Sequence, residues 1–473
     1  MNEDLDRGGI AGHPKGLSTL FFTELWERFS YYGMRAILIL FMVAPLEKGG
    51  LGFATEKAAA IYGLYTGAVY FTSIPGGFIA DRLLGLRRAV LIGGILIALG
   101  HFSLALNVLP LFYGGLVLIV LGTGLLKANI ASIVGQLYGQ GDKRRDAGFS
   151  IFYMGINTGA FVSPLVCGWL AQKVGWHWGF GAAGVGMTLG LVQYAAGQRR
   201  LGDAGLRFER APNASTLWAG IAASLLLLSA VMYWLWDYRD FVVLFGTVGL
   251  FVWIYRQCQS AIEKKRTLAI MALFVFATLF WSGFEQAGSS LNLFADQYTR
   301  NTLLGYDFPS SWFQSVQPLF IILLAPVFAW MWIRLGSREP SSPAKFAYGL
   351  LGVGLGFLAV AIAAKLFEGD KQLVSPMWLI VCYFFHTVGE LALSPVGMST
   401  VSKLAPARVL SLMMGVWYLS ISLGNFIGGR VAGQFEKFPL PDLFGAVFLT
   451  SAVAAVLLAF LSKPIRNLMS GVH

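Results

Sequence analysis

Between positions 23 and 35 the chain reads TELWERFSYYGMR. Glu24, Glu27, Arg28, Tyr31 and Arg35 fall at i, i+3, i+4, i+7 and i+11, so at 3.6 residues per turn they share one helical face, with Tyr32 beside it. Leu25, Trp26 and Phe29 cover much of the remainder. Two carboxylates and two guanidinium groups on an otherwise apolar helix are equipped for proton chemistry. A buried acid beside a base can exchange a proton for a contact with that base, and burial and neighbouring charge set where the exchange occurs. The plainer alternative is a self-neutralised pair of Glu24 or Glu27 with Arg28. Two acids and two bases exceed what one such staple requires.

Other ionisable residues sit alone inside apolar runs. Lys127 lies in GLLKANIAS, Glu285 in WSGFEQAGSS and Glu390 in HTVGELALSP, with Asp296 near the end of the Glu285 segment. An unpaired lysine in hydrocarbon is extremely costly unless neutral, so Lys127 needs a partner, and Glu390 is the natural candidate. That bridge could be permanent, or it could open and close. Asn157 in FYMGINTGAF is placed either to contact a ligand amide or to pack among Gly155, Gly159 and Ala160. Tyr70 and Trp417 are candidate cavity-wall aromatics, although lipid-facing or packing roles are common for such residues. His101 and His386 read as packing residues.

The elements that must hold these groups follow from composition. Apolar residues make up 56% of the 473, charged residues 12%, and the mean hydropathy is +0.66. A soluble domain carries about 25% charged residues, so a lipid bilayer is the expected surrounding solvent. The net charge of +11 would suggest a nucleic-acid partner in a soluble protein. Here Lys and Arg sit in short loops between apolar runs, with no basic face to read bases, so no nucleic-acid role is expected. Cys167, Cys258 and Cys382 lie in or at the end of apolar runs and suggest neither a disulfide framework nor a metal site. The polar, Gly-rich N-terminus does not read as a cleaved signal peptide.

A span needs roughly 20 mostly apolar residues. That rule predicts an all-α integral membrane protein with fourteen transmembrane helices. Six fall at about 17–45, 55–80, 87–108, 111–138, 146–171 and 176–197. Two follow a basic segment, at about 214–235 and 240–257, and six more lie at about 267–298, 312–335, 345–367, 375–402, 408–432 and 442–462. The grouping predicts a six-helix bundle over 1–198, a linker carrying two additional helices over 199–265, and a second six-helix bundle over 266–473. With a cytoplasmic N-terminus, twenty-three of the 35 Lys and Arg fall in inner loops and tails and nine on the outer side. That asymmetry predicts both termini in the cytoplasm.

The loop GGFIADRLLGLRR at 76–88 resembles the loop between spans two and three of the major facilitator superfamily. In that fold two six-helix bundles each contain inverted three-helix repeats, and the first helix of each repeat lines a central cavity. Leaving the inserted pair out of the count, those helices are spans one, four, seven and ten. Intramembrane charges cost about 2.5–3.5 kcal/mol each on insertion scales and face interiors, so they should gather on these four. Glu24, Glu27, Arg28, Arg35, Lys127, Glu285, Asp296 and Glu390 all do so.

Several segments together resemble the proton-dependent oligopeptide transporter family, the peptide-transporter branch of that superfamily. Glu24-x-x-Glu27-Arg28-Phe29 with Tyr31-Tyr32-Gly33 is similar to its span-one signature. Phe152-Tyr153 through Asn157-x-Gly159, Phe280-Trp281 with Glu285-Gln286, and Gly389-Glu390 with Ser394-Pro395 are similar to its span-five, span-seven and span-ten signatures. The resemblance implies a secondary transporter rather than an enzyme, importing di- and tripeptides with protons by alternating access in a bacterial inner membrane. It implies no cofactor beyond the coupling proton, and a monomer is the expected state. Position by position, it implies proton coupling by Glu24, Glu27 and Arg28. The peptide carboxylate would be held by Arg28 and Lys127, its amino terminus by Glu285. Tyr31, Tyr32, Tyr70, Asn157 and Trp417 would shape the pocket, with Glu390 and Ser394 on span ten counted in the substrate site. Lys127 with Glu390 would gate the inner side, and Arg35 with Glu285 or Asp296 the outer side. Gln317 departs from the asparagine common in the family, so the amino-terminus contact would differ. The plainest rival is a carrier of another small anion on the same fold, which would not require Glu285.

Overall fold

A computed structural model describes residues 8–139, 142–206, 213–223, 239–303, 305–406 and 410–471. Nearly all of them are helical. In hydrocarbon every backbone N–H and C=O must be satisfied within the segment, and a helix does this alone. The first six spans are Lys15–Val43, Thr55–Phe71 continued by Ser73–Ile79, Leu86–Ala105, Leu109–Gln136, Arg145–Trp169 and Trp176–Gly197. Spans seven to twelve are Ala261–Phe284 continued by Ser290–Gln297, Val316–Leu335, Ser342–Asp370, Met377–Leu404, Leu410–Ala432 and Leu440–Leu468. Of the inserted pair, Ala214–Ala223 and Arg239–Gln257 are helical, and the rest of the helix expected at 214–235 lies outside the described residues, as do Arg207, Arg210 and Arg408.

Nine of the described helices are individually long and apolar enough to cross a membrane. Span one is absent from that set for an instructive reason. Every 18-residue window of Lys15–Val43 contains at least three of Lys15, Glu24, Glu27, Arg28 and Arg35. The helix crosses because Glu24, Glu27, Arg28 and Arg35 are buried inside protein, 0–7% exposed, rather than because it is apolar.

Two spans are interrupted. Span seven tightens into a 3-10 turn at Glu285–Gly288 and kinks at Ser289 (φ −123°, ψ −96°) before resuming. Span two breaks at Thr72, whose hydroxyl donates to Ala68 O at 2.9 Å and to Val120 O of span four at 3.0 Å. Spans two and five each end in a five-residue π turn, Ala80–Leu84 and Leu170–Val174, closed by a glycine with positive φ, Gly85 (+81°) and Gly175 (+156°). A side chain at either position would be strained, so glycine is what allows the short reversal into the next span.

The fold is of the major facilitator type: two six-helix bundles with an inserted helical pair. Within the first bundle span one packs on spans five and six, and span three on four and six; within the second, span nine packs on ten and twelve, and seven on eleven. The bundles meet where span two crosses span eleven and where span five meets span eight. Arg239–Gln257 sits outside both, largely exposed, touching the second bundle through Phe251 on Phe274 and through an Arg430–Asp240 pair at 2.8 Å. The first and last described residues, Gly8 and Gly471, lie on one face, called here the terminal side; His13 hydrogen-bonds Tyr138 there at 2.9 Å. In the loop joining spans four and five on that face, Arg144 holds the Asp142 carboxyl below the usual carboxylate range by donating hydrogen bonds to it.

Candidate functional site

Span one presents its charged stripe inward because it is clamped on both neighbours. A Cβ added at Gly33 would lie 2.6 Å from Cys167 Sγ, and one at Gly159 would lie 2.3 Å from Leu25 O, so spans one and five approach through glycine. The stripe then forms one network. Arg28 Nε pairs with Glu24 at 3.2 Å and with Glu27 beside it. All three residues are at most 3% exposed. One oxygen of each carboxylate and Nη2 of Arg28 are left without a hydrogen-bond partner. The Arg28 guanidinium lies 5.2 Å from the Tyr31 ring centroid and 5.9 Å from that of Tyr32. Arg35 also lies 5.9 Å from the Tyr32 ring centroid. The two rings thus partly solvate two like charges.

The remaining site residues arrive from spans four, seven and ten. Lys127 is half-buried, with its ammonium 3.8 Å over the centre of the Tyr70 ring. It lies within electrostatic reach of Arg28, Glu27, Glu24 and Glu285. Glu285, at the break in span seven, accepts from Arg35 Nη2 at 2.5 Å, and Arg35 Nε donates to Tyr62 at 2.7 Å. Glu390 is half-buried, feels both Glu285 and Arg35, and accepts from Gln317 at 3.4 Å. Gln317 and Ser394 are also half-buried.

Some expected arrangements differ. Lys127 and Glu390 form no bridge with each other in this conformation: the first has taken the Tyr70 ring and the second the Gln317 amide, so neither is left unsatisfied. Asp296 does not meet Arg35; it is exposed and accepts from Ser310 at 2.6 Å and Gln172 at 3.3 Å. Asn157 spends its amide donor on Tyr153 O of its own helix at 3.0 Å. Trp417 is 3% exposed and covers Gly397 while packing 6.2 Å from the Phe346 ring, a core position in the second bundle.

Among the described residues, the side-chain hydrogen bonds and ion pairs that join the two bundles all lie from the level of Glu285 away from the terminal side. Asn292 donates to Ala36 O at 2.8 Å, Trp312 to Leu165 O at 3.1 Å and Ser315 to Phe161 O at 2.7 Å. Gln172 at the end of span five donates to Ser310 at 2.8 Å and accepts from Ser311 backbone and hydroxyl at 3.1 and 2.7 Å. At the far face Thr55 donates to Glu436 at 2.5 Å and Lys437 pairs with Glu56 at 2.8 Å. Sequence reading did not single out Tyr62, Gln172 or Asn292, since a tyrosine or amide in a helix carries no signal of its partner. Toward the terminal side Tyr153, one turn from Asn157, is 45% exposed. The contacts of Asn292, Trp312, Gln172, Thr55 and Lys437 hold the two bundles together on the far side.

Comparison with known proteins places this arrangement. The sequence model of the POT family matches residues 87–447. The chain is 41% identical to the peptide transporter YePEPT of Yersinia enterocolitica, over 97% of this chain and 96% of the relative. It is 36% identical to a di-/tripeptide transporter of Lactococcus lactis, over 98% of each. A crystal structure of a peptide transporter POT in complex with sulfate superposes with a TM-score of 0.92 at 42% identity, covering 99% of this chain and 98% of that one. The chain is a multi-pass membrane transporter and belongs to the POT family.

Proposed function

We propose that this protein imports di- and tripeptides together with protons by alternating access, with both termini in the cytoplasm and the monomer as the working unit. The observation that carries this reading is the polarity of the cluster. Arg28 and Lys127 belong to the first bundle, while Glu285 and Glu390 belong to the second, all within electrostatic reach of at least one other member. A zwitterion is matched by a cation at one end and an anion at the other. Side chains are then free to vary if few contacts read them. The names of the relatives, which include peptide and di-/tripeptide transporters, support the same substrate class.

In this reading Arg28 is shared between two acids and an incoming carboxylate. While Glu24 and Glu27 are ionised they hold its Nε, and Nη2 remains to donate to a ligand oxygen. Protonating either acid weakens its hold and releases Arg28 for the substrate carboxylate, aided by Lys127. In the far-closed conformation Arg35 occupies Glu285, so Glu390 with Gln317 presents the available acidic surface to the peptide amino group. When the far side opens, the Arg35–Glu285 bond separates and Glu285 becomes available in turn. The cycle therefore couples amino-terminus recognition to the far gate.

The test is dialanine uptake into proteoliposomes under an imposed inward proton gradient. Accumulation above equilibrium is expected for the wild type and its loss for Glu27→Gln, which should still catalyse counterflow exchange. Competition by dialanine should exceed that by its amidated or N-acetylated forms. Accumulation by Glu27→Gln equal to wild type would remove the coupling role, and equal competition by all three ligands would remove the zwitterion.

A further inference from the structure

In a continuous helix the Ala287 carbonyl of span seven would accept from the backbone four residues on. The 3-10 turn at Glu285–Gly288 and the kink at Ser289 interrupt that ladder, and Ala287 is 4% exposed. A backbone carbonyl buried at membrane depth needs another donor. The side-chain amide of Gln314 supplies it, donating to Ala287 O and, at 3.4 Å, to the Tyr383 hydroxyl of span ten. Gln314 stands half-buried in the Ser310–Ser315 turn that leads into span eight. One amide thus joins spans seven, eight and ten, all within the second bundle. Among the described residues, the other side chain that donates to a carbonyl of the break is Arg35, to Glu285 O at 3.5 Å. Arg35 belongs to the first bundle.

We infer that Gln314 is a positioning residue for Glu285. The inference rests on the proposed role of Glu285 as far-gate acid and partner of the peptide amino group. Relaxing Glu285–Gly288 into the α form would reduce the turn from about 120° to about 100° per residue. Glu285 would then rotate by roughly 80° about the helix axis relative to Ser290–Gln297, away from Arg35. When the far side opens, Arg35 departs with the first bundle, whereas Gln314 moves with span seven and still holds the break. Glu285 therefore stays aimed between the bundles at the step where the amino group arrives, and meets Arg35 again on closure.

Full-length protein in proteoliposomes is assayed for dialanine uptake, with unlabelled dialanine or N-acetyl-dialanine as competitor. In the wild type dialanine should compete better. In Gln314→Met, similar in length and without a donor, that preference should fall roughly fivefold, one hydrogen bond's worth. A purely structural role would lower the amount of folded transporter and leave the preference intact. In a Glu285→Gln background Gln314→Met should cost no further preference. A second readout needs no peptide. Leu106 and Leu373 are 63% and 52% exposed in far-side loops of the two bundles, so spin labels at Leu106→Cys and Leu373→Cys in a Cys258→Ser background follow that side. The longer-distance population should grow roughly fivefold in Gln314→Met. It should not grow when Glu285→Gln is already present. An unchanged label distance, a preference equal to that of a discriminating wild type, or the same loss with Glu285 already replaced would overturn the inference. If the wild type itself shows no preference, the zwitterion reading falls and the label distances alone decide the role of Gln314. Should Gln314→Met fail to fold, Gln314→Glu, whose carboxylate has the same shape and no donor, takes its place.

Discussion

A guanidinium at the centre of a membrane protein can be held by more than one group, and Arg35 uses this. Its Nε serves Tyr62 and its Nη2 serves Glu285, across the two bundles. Removing one partner of such a buried pair costs about 3–5 kcal/mol, mostly because the other charge is left uncompensated. Arg35→Gln should therefore lower Tm more than the Arg35→Gln/Glu285→Gln double variant does. A double-mutant cycle on thermal unfolding should give a coupling of about 1–3 kcal/mol. Additive effects would mean that the pair does not hold the far side. Arg35→Lys is not expected to substitute, because one ammonium lacks the fork that spans both acceptors. At this scale much was legible beforehand. Charge in hydrocarbon is so costly that its positions announce a shared interior, and Glu24, Glu27, Arg28, Lys127 and Glu285 do lie within reach of one another. The partners were less legible. Tyr62 and Gln172 are cheap to bury, so nothing in their spacing marks them. The Lys127–Glu390 pairing depends on conformation, which no residue pattern encodes.

Spans were legible because hydrocarbon thickness fixes their length, and the break in span seven was not. The Glu285–Ser289 interruption contains no proline, and its cause is tertiary: Glu285 turns to meet Arg35, and Ser290 bonds Gln286 at 2.8 Å. The contact between spans two and eleven is also tertiary. A Cβ at Gly63 would lie 2.7 Å from Asn425 O and 2.8 Å from Gly429 Cα, so the helices touch backbone to backbone. Small residues are what allow such approach between membrane helices. Gly63→Val should prop this seam open. Leu46 and Tyr306 are 71% and 81% exposed in far-side loops of the two bundles, which suits them to spin labels after Leu46→Cys and Tyr306→Cys in a Cys258→Ser background. The distance between labels should lengthen in Gly63→Val relative to its parent. An unchanged distance would show that the glycine contact is not what limits closure.

The molecule as a whole is sealed on its far side at three separate seams: span one to seven through Arg35, span two to eleven through Gly63 and Gly429, and span five to eight through Gln172. If each bundle moves as a body, these seams open together, and opening them must bring the terminal-side ends closer. The packing favours that behaviour, since close-packed helices within each bundle resist bending, whereas interfaces between such bundles are where discrete rearrangements occur. A second label pair tests the coupling. Arg82 and Arg338 are exposed in terminal-side loops of the first and second bundles. In the same Gly63→Val background, labels at Arg82→Cys and Arg338→Cys should move closer as the Leu46–Tyr306 distance grows. Local bending of span two alone would lengthen the far pair and leave the terminal pair where it was. The seam residues would then be ordinary packing, and a rocking cycle for peptide transport would lose its mechanical basis in this chain.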